Sequence, residues 1–283
     1  MIAIFSLIRK YPTKVQAWYT IKRGGYMKEI MSTKNPLIKE WKKLHKKKER
    51  QQQQRYIIEG FHLVEEAVQA KQKIEALVFN QRGQKEWGPW LQKQPAELLV
   101  FVSDDVLHQL SELPTAQGIL AIVAMPQVSE LPSTHGGWLL LDNVQDPGNV
   151  GTMIRTADAA GLAGVILGEG TADIYNTKVL RSMQGSNYHL PIIRYPLVEV
   201  MKIFAENKVP VFGTALDDRA LPFTQQVSVK SYGLLLGNEG SGVAAELLEK
   251  TTANLYIPMK GQAESLNVAI AAGILMYHFE LLK

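Results

Sequence analysis

The 283-residue chain carries 31 Lys and Arg against 27 Asp and Glu, is 46% hydrophobic and contains no cysteine. Its length and apolar content suit two modest domains with separate cores, and the missing cysteine excludes disulfides, thiolate zinc sites, iron–sulfur clusters and a cysteine nucleophile. No apolar run approaches the roughly 20 residues that span a bilayer, so no membrane partner is expected and the cytoplasm is the expected compartment.

The apolar opening from Met1 to Ile8 is cut short by Arg9-Lys10 and lacks the basic start and small-residue cleavage site of a signal peptide. Lys22-Arg23-Gly24-Gly25-Tyr26-Met27 back-translates to a string containing AGGAGGT just ahead of ATG, the form of a bacterial ribosome-binding site. Residues 1–26 are therefore read as a mis-called or disordered extension, with translation starting at Met27; the alternative is a genuine short amphipathic extension.

The first domain is placed at 27–123. Between Met27 and Arg55 stand ten Lys or Arg and three Glu, a stretch that draws a polyanion. Asn35-Pro36 is a helix start, with Asn as N-cap and Pro at the first helical position. Leu37, Trp41 and Leu44 recur at helical spacing with lysines on the other faces. Lys34, Lys39, Lys42, Lys43 and Arg55 are the candidate RNA contacts, against the plainer reading of a solvated charged helix. Gln51 to Gln54 reads as a polar break. Tyr56 to Gly60 is a short apolar strand, and Phe61 to Ala70 a helix with Leu63, Ala67 and Val68 inward. Leu77 to Phe79, Leu98 to Val102 and Gly118 to Ala124 are further strands, and Ser103-Asp104 caps a helix carrying Val106, Leu107 and Leu110. Strands alternating with helices argue a small α/β sandwich.

Residues 124–137, with two prolines, two glycines and small polar residues, read as a linker. The second domain, 138–283, opens on the wholly apolar strand Trp138 to Leu141, the pattern of a parallel sheet covered on both faces. In the next helix Val150, Ile154 and Ala157 fall on one face and Gly161 stops it. Arg155 lies off that stripe, and on spacing alone it pairs with Asp158. Strands follow at Gly164 to Leu167, Val211 to Thr214 and Gly233 to Leu236, with a helix at Lys178 to Met183. Arg181 and Asn187 are equally readable as RNA contacts or as solvated residues.

Gly237-Asn238-Glu239-Gly240-Ser241-Gly242 then turns into a helix near Val243, its glycines letting backbone amides approach a ligand. The order G-x-x-G-x-G differs from the dinucleotide fingerprint. Leu255 to Pro258 is the last strand, and Ser265 is the expected N-cap of a final helix from Leu266 to Leu282, apolar nearly all round and so suited to a subunit interface. The six histidines show no metal-ligand spacing, and no metal is expected.

Asn149 with Arg155-Thr156-Ala157, Gly237-Asn238-Glu239-Gly240, and Ile257-Pro258-Met259 with Ser265-Leu266-Asn267 stand in a fixed order. Together they resemble the SpoU branch of the SPOUT RNA methyltransferases. The earlier string Asn35-Pro36-Leu37-Ile38-Lys39, Arg55, Ile58-Glu59-Gly60-Phe61 and Glu65-Glu66-Ala67 resembles the substrate-binding domain, similar to a ribosomal protein, that precedes many of them; Glu59 alone reads equally as a plain strand-end carboxylate.

The resemblance implies an α/β fold whose C-terminal parallel sheet ends in a trefoil knot, a homodimer through the C-terminal domain, and S-adenosylmethionine as cofactor. Gly237, Ile257 and Leu266 would hold it, with Thr214 and Met259 beside them. The implied reaction is methyl transfer to a ribose 2′-hydroxyl, most readily of large-subunit ribosomal RNA. Attack by a cysteine on a pyrimidine carbon is closed to this chain. Arg155 matches the residue that activates the hydroxyl with phosphate help, while Asn149, Glu239, Ser265 and Asn267 would hold Arg155 and the ribose. The alternatives are a transfer RNA 2′-O-methyltransferase and a non-catalytic ribosome-associated RNA-binding protein.

Overall fold

In a computed structural model the described residues are 27–126, 134–215, 219–227 and 229–281; the N-terminal extension and the centre of the linker lie outside them. Contacts divide the described residues into two units, one made of those within 27–64 and 72–124 and the other of those within 65–71 and 125–281.

The first unit holds β1 (Lys28–Ile30), α1 (Pro36–Lys43), α2 (Lys47–Gln53), β2 (Arg55–Glu59), the start of α3 (Phe61–Gln69), β3 (Ile74–Phe79), α4 (Gln81–Leu91), β4 (Leu99–Val102), α5 (Asp104–Leu110) and β5 (Ile119–Ala124). Its sheet runs β1-β4-β3-β5-β2, with β1, β4 and β3 parallel and β5 antiparallel to both β3 and β2. Ile38, Trp41 and Leu44 join Val106, Leu107 and Leu110 of α5 over Val78, Val100 and Ile122 in one core. Asn35 caps α1 by accepting from the Leu37 amide at 2.9 Å.

β1 was not foreseen, Ile38 is fully buried where Leu37 was expected, and further readings change here. Gln51 to Gln53 are helical, and the break comes at Gln54, whose φ of 55° is left-handed. Arg50 makes that second helix possible: it is buried, and Nη1 donates to the carbonyls of Leu44 and His45 at 2.8 Å, closing the turn between α1 and α2. On α3, Val64 is fully buried where Val68 was expected. Helix α4 was not foreseen, because Gly83, Gly88 and Pro89 obscure its pattern; it kinks at Trp87 (φ −124°, ψ 18°), just ahead of Pro89.

The second unit holds β6 (Gly137–Leu141), α6 (Pro147–Ala160), β7 (Gly164–Leu167), α7 (Thr177–Met183), β8 (Ile192–Arg194), α8 (Leu197–Glu206), β9 (Val211–Thr214), β10 (Leu221–Pro222), β11 (Tyr232–Leu236), α9 (Ala245–Leu248), β12 (Ala253–Tyr256) and α10 (Val268–Leu281). Its seven strands run β10-β12-β9-β11-β6-β7-β8, every neighbouring pair parallel. β6 and β11, central in that order, are buried at every position, as a sheet covered on both faces requires. β8 and α8 were not foreseen from the sequence.

Asp146 caps α6 through the Asn149 amide at 2.9 Å, with Pro147 at the first position. Val150, Ile154 and Ala157 are fully buried as the spacing requires, and Gly151 lets α7 approach so closely that a Cβ there would strike Ser182 and the Val179 carbonyl. The final helix begins two residues later than expected. Asn267, not Ser265, is its cap, Oδ1 accepting from the amides of Ala269 (2.9 Å) and Ile270 (3.3 Å). Ala269, Ala272, Leu275, Met276 and Phe279 are buried, and the Tyr232 hydroxyl donates to Glu280 at 2.8 Å, pinning α10 to β11. Ile270, Ile274, Tyr277 and Leu281 stay exposed along the helix's other side. No described helix is long and apolar enough to cross a membrane.

Gly161 ends α6 at φ 79° with open space where a Cβ would stand, so Gly161→Ala introduces backbone strain without a clash. We expect it to lower stability by about 1 kcal/mol, read as a shift of the unfolding transition in urea.

Candidate active site

The C-terminal ends of β9, β11 and β12 open onto a cleft of about 800 Å³, the position where parallel α/β sheets place ligands. Every cofactor residue expected from the sequence lines it: Thr214, Gly237, Ile257, Met259 and Leu266, together with Glu239, Ser265 and Asn267. Gly237 is obligatory, since a Cβ there would overlap the backbone of Gly242 and Val243. The loop behind it is closed by a reciprocal pair of backbone hydrogen bonds between Asn238 and Gly242, at 2.9 and 3.0 Å. The Asn238 side chain accepts from the amides of Gly240 and Ser241 and donates to the Asn143 carbonyl, fastening the glycine loop to the segment after β6. Asp142 adds a second tie by accepting from the Ala244 amide at 2.8 Å. A second cleft of the same volume lies near the opposite strand ends, among Thr134, His135, Lys208, Pro210 and Lys230, and holds none of the expected site residues.

One polar chain joins the three motifs. Asn267 Nδ2 donates to Asn149 Oδ1 at 2.9 Å, and Asn149 Nδ2 donates to Glu239 Oε1 at 3.0 Å. Glu239 also accepts from the amides of Gln145 (3.1 Å) and Asp146 (3.0 Å). Partial burial pushes the Glu239 carboxyl up, but the donation from Asn149 and from those amides outweighs it and leaves the group below its ordinary range. A carboxylate so held is a fixed anion and a poor proton acceptor. Asp146 is likewise lowered, first by the Asn149 amide, and its other oxygen takes Lys178 Nζ at 3.2 Å.

Arg155 does not join this chain. It is exposed on α6, does not line the cleft, and makes no hydrogen bond or ion pair among the described residues. The pairing with Asp158 expected from spacing is absent, because Asp158 holds His189 Nδ1 at 2.8 Å. Ser265 lines the cleft with a hydroxyl that finds no partner among the described residues. In the first unit Lys34, Lys39, Lys42 and Lys43 are exposed, whereas Arg55 is ion-paired to Glu40 (3.1 Å) and Glu75 (2.9 Å). Glu59 is buried and accepts from Ser111 Oγ at 2.6 Å, the structural reading of that carboxylate. Gln145, Asp146 and Lys178 were missed; Asp146-Pro147 carries the same helix-start signal as Asn35-Pro36.

The SpoU rRNA methylase family model matches residues 138–277, and an MRM3-like substrate-binding domain model matches 35–121. The chain is 46% identical over 257 residues to the Bacillus subtilis 23S rRNA (guanosine(2553)-2′-O)-methyltransferase RlmP, covering 89% of this chain and 99% of that one. A crystal structure of an AdoMet-bound rRNA methyltransferase from Sinorhizobium meliloti superposes with a TM-score of 0.80 at 32% identity, over 91% of this chain and 98% of the other. The SpoU methyltransferase AviRb from Streptomyces viridochromogenes, in complex with AdoMet, does so at 0.77 and 27% identity, over 88% and 98%.

The depressed carboxyl of Glu239 stabilises the joined loops fully above the unfolded value near 4.5, and that contribution is lost as pH falls through the lower folded value. The unfolding midpoints of the wild type and Glu239→Gln are therefore expected to differ most above about pH 5 and to converge as the solution is acidified, as followed by chemical denaturation at several pH values.

Proposed function

The chain belongs to the SpoU rRNA methylase family, and we propose that it methylates a ribose 2′-hydroxyl of large-subunit ribosomal RNA, with S-adenosylmethionine as cofactor. The observation that carries this reading is the chain Asn267–Asn149–Glu239, which brings all three motifs to the mouth of one cleft. The residues fit the cofactor: Gly237 has no room for a side chain, and Thr214, Ile257, Met259 and Leu266 supply a mixed apolar and backbone lining. When bound, S-adenosylmethionine supplies an electrophilic methyl group on a sulfonium centre.

The chain's own residues then orient the hydroxyl and stabilise the negative charge it develops. Asn149 and Asn267 are locked by their mutual hydrogen bond, and the ionised Glu239 fixes Asn149 rather than taking a proton. Ser265, whose hydroxyl has no partner among the described residues, would meet the ribose. Arg155 is always charged, so its part is to bind the adjacent phosphate and stabilise the developing alkoxide, the phosphate helping to take the proton. Orientation of the reactants supplies much of the acceleration.

Arg155 stands outside the cleft of its own chain, which supports a homodimer in which each cleft is completed by the partner's Arg155. The exposed row Ile270, Ile274, Tyr277 and Leu281 on α10 is the apolar surface such a dimer would bury. The trefoil knot is proposed on the path of the C-terminal segment: it leaves β12, on the far side of β9, and returns to α6, where Asn267 meets Asn149. Lys34, Lys39, Lys42 and Lys43 are proposed as backbone contacts that grip RNA electrostatically; Arg55, held by two glutamates, would act through that ion-paired cluster. By likeness to the Bacillus subtilis relative the modified residue is proposed to be a guanosine. A transfer RNA substrate is disfavoured because the leading domain matches a substrate-binding domain and the relative at 46% identity acts on 23S rRNA.

Arg155→Ala is expected to lower methyl transfer at least about 100-fold while RNA affinity falls only a few-fold. Labelled methyl from S-adenosylmethionine, counted in 2′-O-methylguanosine after digestion of ribosomal RNA from cells lacking the gene, gives the rate; an unchanged rate, or label in transfer RNA alone, overturns the assignment.

A further inference from the structure

Phe61, Trp87 and Trp90 form an aromatic cluster within the substrate-binding unit that the catalytic reading does not use. The rings of Phe61 and Trp87 stack with centroids 5.0 Å apart and planes 4° from parallel, and Trp90 meets Phe61 edge-on at 5.2 Å and 77°. All three remain partly exposed. Trp41 and Trp138, by contrast, are buried at 4% and 2% exposure, and the indole N–H of Trp138 donates to the His135 carbonyl. Neither Trp87 nor Trp90 has a hydrogen bond to its indole N–H among the described residues. Buried tryptophans ordinarily satisfy that group, so these two keep both a π-face edge and a donor available to a ligand.

The cluster is held rigidly. Asn80 caps α4 by accepting from the Gly83 amide at 3.0 Å and donates to Asp104 at 2.7 Å. Gly83 packs so tightly on Gly118 that a Cβ would collide with the Gly118 carbonyl, and a Cβ on Gly118 would stand 3.3 Å from the Trp87 ring. The kink at Trp87 brings both indoles onto Phe61. The same helix carries Lys85, exposed, and Arg82, whose guanidinium is held by Glu86 and the Ala116 carbonyl. A preorganised, partly exposed aromatic surface on a helix that also carries an exposed lysine has the chemistry of a stacking site for single-stranded RNA.

We propose that Phe61, Trp87 and Trp90 form a platform on which an unpaired nucleobase of the RNA substrate stacks, Trp90, whose ring is not stacked on Phe61, offering its face and Lys85 of the same helix taking a neighbouring phosphate. The proposal rests on the RNA methyltransferase reading for the identity of its ligand, but its test does not require turnover. Binding of a single-stranded oligouridylate, followed by quenching of tryptophan fluorescence and independently by anisotropy of a labelled oligonucleotide, is expected to weaken about tenfold in Trp90→Ala and to stay near wild type in Trp90→Tyr, which keeps a stacking ring. A fully paired duplex of the same length should bind both variants and the wild type alike. In methyl-transfer assays on ribosomal RNA, Trp90→Ala should raise KM with kcat preserved. Equal oligonucleotide affinity for wild type and Trp90→Ala overturns the platform even if methylation proceeds, as does an equal loss in Trp90→Tyr. Wild-type protein that binds the oligonucleotide through Trp90 yet transfers no methyl overturns the enzymatic reading and leaves the platform standing.

Discussion

The side chain of Asn149 is the joint on which the site depends. It accepts from Asn267 and donates to Glu239, residues 118 and 90 positions away in sequence. Each bond is solvent-exposed and contributes little by itself to stability. What the pair enforces is geometry: the start of α6, the glycine loop and the start of α10 cannot drift apart while both hold. The cost of bringing such distant segments together is borne by the sheet, where β6, β9, β11 and β12 run parallel and deliver their C-terminal ends to one edge. The polar chain only has to finish an alignment that buried strands have already made.

Glycine and carboxylate share that finishing. Gly237 gives up its side chain so that the loop can fold back on Gly242, and Gly151 does the same between α6 and α7. Asn238 and Asp142 then tie the loop to the segment after β6. Glu239 is held ionised by three donors, so it tolerates a neighbouring cation and resists a proton. A site that receives a polyanion beside a fixed carboxylate needs a cation to bridge them, which is the part proposed for Arg155.

Much of this was legible in the chain because it rests on local signals. The strand Trp138 to Leu141, the stripe Val150, Ile154 and Ala157, the stop at Gly161 and the cap at Ser103 all stand where pattern and cap chemistry place them. Failures came where local signals compete or where the deciding partner is remote. Ser265 and Asn267 are both good caps, and Asn267 wins because its amide nitrogen also reaches Asn149. The glutamine run looked like a break because nothing in the sequence says that Arg50 will be buried against the Leu44 and His45 carbonyls. Gly83, Gly88 and Pro89 hid α4, although they are what lets its tryptophans gather on Phe61. The pairing of Arg155 with Asp158 was sound on helical spacing and lost to His189, a competitor visible only in three dimensions.

Where the hydroxyl proton goes follows from these same constraints. Glu239, which lines the cleft, accepts from three donors that favour its charged form, so protonating it would weaken the bonds that position Asn149. A guanidinium cannot act as a base at neutral pH. It can, however, lower the energy of an alkoxide and of a phosphate oxygen at once, because its planar fork presents several donors in fixed directions. In the proposed mechanism proton loss is therefore shared between the RNA's own phosphate and solvent, and the protein's contribution is to make the alkoxide stable enough to exist at the moment of attack. An enzyme built this way has reason to keep its arginine free of intramolecular partners, and Arg155, exposed and unpaired among the described residues, is kept so.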